Sequence, residues 1–73
     1  MSNGHDTNNH LIRMANQIAA NLAAMGHDQA VAETQEHIAK FWDPRMKAGI
    51  AAADHAALSP IALAAITRLT ASH

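Results

Sequence analysis

Apolar side chains recur along this chain at steps of three and four, the spacing that gathers them on one face of an α-helix. No stretch alternates with period two, so no strand is expected. The first periodic stretch carries Leu11, Ile18, Leu22 and Met25, with Met14 and Ala15 on the same face, and predicts a helix over about 9–25. Asn8 or Asn9 can cap it, and Gly26 stands where a helix ends in a left-handed conformation. At 100° per residue, Arg13 and Asn16 fall nearly opposite the apolar stripe, with Gln17 to one side. A second helix is expected over about 29–41, capped by Asp28. Its stripe runs through Val31, Thr34, Ile38 and then Phe41 or Trp42. Glu36 and Lys40 form an i,i+4 pair on its outer face.

The stretch Phe41-Trp42-Asp43-Pro44-Arg45-Met46 holds the only Phe, the only Trp and one of two prolines. Pro44 disfavours helical geometry at the residue before it, so the second helix should end near Phe41 or Trp42. Proline is well suited to the first position of a new helix, with Asp43 as its N-cap. The third helix is thus expected from Pro44 to about Ala56, with Met46, Ile50, Ala53 and Ala57 in register and Gly49 beside that face. Ser59-Pro60 repeats the cap-then-proline start, and Leu58 and Leu63 have the spacing of a hydrophobic staple. The fourth helix should reach about Ala71, burying Leu58, Ala62, Ile66 and Leu69.

These elements predict an all-α fold, a small compact array of about four short helices. Residues 1–8 are polar and are expected to form a disordered tail, leaving residues 9–73 as a single helical domain. The expected core is Leu11, Ile18, Leu22, Val31, Ile38, Phe41, Met46, Ile50, Ile66 and Leu69.

Composition sharpens this picture. The chain has 73 residues, of which 49% are nominally apolar, but half of those are alanine. A domain of this size rarely gains more than about 3–5 kcal/mol from its core without a disulfide, a metal or a partner. There is no cysteine, which removes disulfides, Fe–S ligation and thiol chemistry from consideration. Association with another chain remains as the source of missing burial, either a larger protein or, for the isolated chain, a two-fold homodimer.

Net charge is −1 and no polybasic run exists, which argues against nucleic acid or an anionic membrane as partner. No apolar run approaches the ~18 residues of a membrane span, and the N-terminus lacks the pattern of a signal peptide. The chain is therefore expected to be cytoplasmic. Its six histidines include no pair at i,i+3 or i,i+4, so no metal site is expected. No nucleophile stands beside a sequence-visible base, and the three glycines are too far apart for a phosphate loop. No active site and no cofactor site are read in this chain.

Leu11-Ile12-Arg13-Met14-Ala15-Asn16-Gln17-Ile18-Ala19, followed by His37-Ile38-Ala39-Lys40-Phe41-Trp42-Asp43-Pro44-Arg45-Met46, resembles the delta subunit of NAD-dependent formate dehydrogenase. The resemblance covers roughly residues 11–50, and the Phe-Trp-Asp-Pro-Arg-Met block is its specific part. It implies an accessory, non-catalytic subunit of a cytoplasmic, multi-subunit molybdenum or tungsten enzyme. The pterin, Fe–S and flavin centres would lie in larger subunits, which convert formate and NAD to carbon dioxide and NADH. The implied partners are those larger subunits, the catalytic one foremost. The residues expected to face them are Arg13, Asn16, Gln17, Trp42, Asp43, Pro44 and Arg45. Trp and Arg are the types most enriched at interface hot spots. Phe41 and Met46 would then point inward while Trp42 and Arg45 face the partner. A transient assembly chaperone for the same enzyme fits such a chain equally well. A third reading, a small helical regulatory or DNA-binding module, has against it that only Arg45 and Lys47 cluster, where a recognition helix brings several cations to phosphates.

Overall fold

The computed structural model describes residues 3–71, with side chains from residue 9 onward. Four α-helices follow one another: α1 (Asn3–Leu22), α2 (His27–Phe41), α3 (Pro44–Ala52) and α4 (Pro60–Ala71). Single 3₁₀ turns at Ala23–Met25 and His55–Ala57 complete the order. No strand occurs among the described residues, and the all-α array is the architecture anticipated from the periodicity. The Cα radius of gyration is 11.4 Å, close to the ~11 Å expected for a compact chain of this length.

The punctuation follows the local chemistry at three joints. The Asp43 side chain accepts a hydrogen bond from the Met46 N–H at 2.8 Å, and Pro44 opens α3. Trp42 and Asp43 are both extended, and at Asp43 this is the geometry that the following proline favours. Ser59 repeats the device: its Oγ accepts from the Ala62 N–H at 3.3 Å. At a third joint, between α3 and α4, the Asp54 side chain accepts from the Ala56 N–H at 3.1 Å and starts the second 3₁₀ turn.

Other boundaries differ from expectation. α1 begins at Asn3, so the helix runs through Asn8 and Asn9 rather than being capped by them. The described helix takes in residues 3–8, while residues 1, 2, 72 and 73 lie outside the described residues. Gly26, not Asp28, is the N-cap of α2, and Asp28 falls in its first turn, where a carboxylate favours the helix dipole. Gly26 has φ 101° and ψ 153°, which is positive φ but not the left-handed helical conformation. One residue closes both ends: its N–H donates to Ala23 O at 3.1 Å and its carbonyl accepts from the Ala30 N–H at 2.9 Å. α3 stops at Ala52, because Asp54 captures the backbone, and Ala57 is exposed rather than in register.

α2 and α4 make the most extensive helix pairing, and α1 packs against α2, α3 and α4. Ala30, Ala62 and Ala65 are fully buried, as are Val31, Thr34, Ile38, Ile50 and Ile66. Small side chains let helix axes approach closely, so alanines supply packing surface that bulkier residues would otherwise have to fill. The alanine-rich composition is thus compatible with a continuous core. Leu11, Ile12, Ala15 and Ala19 are buried on α1, and Leu58 and Leu69 close the cluster from the α4 side.

Two assignments at the central corner are reversed. Phe41, expected in the core, is 71% exposed, whereas Trp42 is 5% exposed and belongs to the core cluster. Helical spacing does not separate these neighbours. The chain leaves the helix after Phe41, and the extended backbone at Trp42 turns the indole into the cluster that holds Leu11, Ile38 and Ile50. Ile18 and Met46 are half-buried against the core, and Leu22 is half-buried at the edge of α1. Ile12, outside the predicted stripe, is buried because neighbours cover α1 on more than one side.

Candidate functional site

The seven residues expected to face a partner separate into three groups. Arg13, Gln17 and Trp42 come together in an open groove of about 420 Å³, lined also by His10, Met14, Ile18 and His37. Arg13 and Gln17 lie on the exposed side of α1, and Gln17 Nε2 donates to Asn21 Oδ1 at 3.2 Å. Trp42 contributes the groove wall rather than a projecting side chain. Arg13 makes no ion pair among the described residues; the pair found there is Lys40–Glu36, at 3.2 Å.

Asn16 is half-buried and bonded within the chain. Its Nδ2 donates to Ala57 O at 3.0 Å, and its Oδ1 accepts from the Ser59 N–H at 2.8 Å. The side-chain amide therefore ties α1 to the corner before α4 and is occupied inside the molecule. Sequence reasoning placed it on the outer face because the stripe of bulky residues marks only one flank of α1. The α4 corner covers the other.

Asp43, Pro44 and Arg45 form the third group. The Asp43 carboxylate is committed to the α3 cap, and Pro44 lines a different groove, between α3 and α4, with Lys47, Ala48 and Leu69. Arg45 is exposed and does not line the groove that holds Arg13. Lys47 Nζ donates to Ala39 O at 2.8 Å, placing a cation on an unsatisfied carbonyl at the C-terminal end of α2. It braces the α2–α3 corner from inside the chain.

The residue missed as a surface feature is Phe41. Its ring lies 4.9 Å from that of His37, tilted by 43°, one helical turn away. His37 lines the Arg13 groove and also a second one of about 170 Å³, which Leu22, Glu33, Glu36, Lys40 and Phe41 complete. As numbers rise along α1 from Arg13 to Leu22, they fall along α2 from Trp42 to Glu33. The two helices are therefore antiparallel here, and the two separate grooves share His37, which marks out a track along them. The signal that could have exposed Phe41 is the helix end itself, since only one of two adjacent aromatics can follow the chain into the corner.

Among the described residues no group of three or more His, Asp or Glu side chains is placed to hold a metal ion. No described helix is long and apolar enough to cross a membrane. The half-buried His55 ring, at the start of the second 3₁₀ turn, has Nε2 3.3 Å from Ile50 O of α3. What the surface offers is a contact face, with an aromatic ring and a guanidinium that has no ion-pair partner among the described residues, beside an apolar track.

Comparison with curated proteins and with solved structures finds no match. A family model described as the NADH-dependant formate dehydrogenase delta subunit FdsD matches residues 10–66. That span contains α2, α3, Trp42, the Asn16 clamp and most of the α1–α2 track. Since it takes in more than three quarters of the chain, this protein belongs to the family of formate dehydrogenase delta subunits.

Proposed function

We propose that this delta subunit is a non-catalytic accessory chain that docks on the larger subunits of an NAD-dependent formate dehydrogenase in the cytoplasm and stabilises them or assists their maturation. The single observation that carries this reading is the α1–α2 face. There the chain's only phenylalanine is 71% exposed beside a track lined by Arg13, Ile18 and His37. An aromatic and an arginine flanking an apolar groove are the ingredients of an interface hot spot. The redox centres belong to the larger subunits in this reading, consistent with a chain that has no cysteine.

Purification of the active enzyme through a tag on this chain tests the proposal. The expected result is the larger subunits in fixed stoichiometry, with formate-dependent reduction of NAD in the same fraction. Recovery of the chain only with enzyme lacking its cofactors would identify a departing chaperone instead. Recovery of the chain alone would count against docking.

A further inference from the structure

The α1–α2 track consists of two grooves that share His37, and the two differ in charge. Its Trp42 end is lined by Arg13, His10 and His37, with no carboxylate among the described side chains, and Arg13 has no ion-pair partner among the described residues. The Leu22 end carries Glu33 and Glu36, of which Glu36 already pairs with Lys40. Between them run Ile18, Leu22 and the exposed ring of Phe41. Backbone hydrogen bonding within α1 and α2 is satisfied by the helices themselves, so an occupant has no strand edge to extend. Side chains must be seated instead, and the seat between two antiparallel helices suits a third helix.

We infer that this track receives an amphipathic helix of a larger formate dehydrogenase subunit, with its apolar face on Ile18, Leu22 and Phe41 and a carboxylate opposite Arg13. The inference rests on the accessory-subunit reading and adds to it the binding face and the chemistry of the occupant. Charge complementarity selects the carboxylate: Arg13 is the permanent cation lining its groove, and a guanidinium binds a carboxylate through two parallel hydrogen bonds. The same reasoning puts a basic or amide side chain of the occupant near Glu33. Arg13 and Leu22 are nine residues apart on α1, about 14 Å along the helix axis.

The test uses the assembled enzyme. Phe41 is replaced by a photo-crosslinking phenylalanine, Phe41→p-benzoylphenylalanine, and the captured peptide is identified by mass spectrometry. An amphipathic segment of a larger subunit bearing Asp or Glu is expected. Arg13→Glu should then lower the amount of delta subunit retained on the enzyme by tenfold or more without changing its own melting temperature. Reversing the captured carboxylate to Lys should restore retention. Capture of a second copy of this chain, or of a segment without a carboxylate, overturns the inference. So does full retention of Arg13→Glu, or absence of any crosslink at Phe41 in a complex that still co-purifies; these leave the accessory-subunit reading standing. Failure of the unaltered chain to co-purify removes both.

Discussion

The side-chain amide of Asn16 accepts from the backbone N–H of Ser59 at 2.8 Å, across 43 residues of sequence. With the second bond, to Ala57 O, it fixes the corner from which α4 starts. Ser59 is itself the residue whose Oγ caps α4, so one amide positions the cap that begins another helix. Asn16→Ala should destabilise the isolated chain by about 1–3 kcal/mol, because a donor and an acceptor lose their partners. In so short a domain that lowers Tm by roughly 4–8 °C per kcal/mol. Thermal unfolding followed by circular dichroism checks it. An unchanged Tm would return Asn16 to the outer surface.

Phe41 and Trp42 should behave oppositely. Trp42→Ala empties the core and should cost about 3–5 kcal/mol, enough to unfold a chain of this size. Phe41→Ala removes an exposed ring and improves helix propensity, so isolated stability should shift by no more than about 0.5 kcal/mol. Retention on the larger subunits should fall all the same. Urea denaturation and a co-purification assay, run on both variants, separate the two roles.

Thr34 is fully buried between helices, and its Oγ1 has no hydrogen-bond partner among the described residues. A desolvated hydroxyl without a partner carries a penalty that an isosteric methyl does not. Thr34→Val should therefore raise stability by about 1 kcal/mol, seen as a higher urea midpoint with an unchanged slope. A lower midpoint would mean that the hydroxyl is satisfied in solution.

Gly26 joins α1 to α2 at φ 101° and ψ 153°, a conformation confined almost entirely to glycine. Nothing lies within 4 Å of a Cβ added there, so the cost of substitution is one of backbone torsion rather than of collision. Gly26→Ala should destabilise by about 1–3 kcal/mol. A destabilisation equal to that of an exposed helix substitution, a few tenths of a kcal/mol, would show that the joint can adopt another geometry.

Local chemistry written into the chain determined the number and order of the helices. Asp43-Pro44 and Ser59-Pro60 start helices because a carboxylate or hydroxyl can satisfy a free amide and proline needs none. The periodicity of Leu11, Val31, Ile38, Ile50, Ile66 and Leu69 placed those residues correctly in or against the core. The Phe-Trp-Asp-Pro-Arg-Met block likewise pointed to the family. Tertiary structure alone decided which of two adjacent aromatics turns inward, that Asn16 reaches another element, and that Arg13, His37 and Phe41 share a face. Periodicity measures angles around one helix axis. It does not say how many neighbours that helix has, or on which flanks they lie, and those flanks settle whether a polar side chain meets solvent, a partner or its own chain.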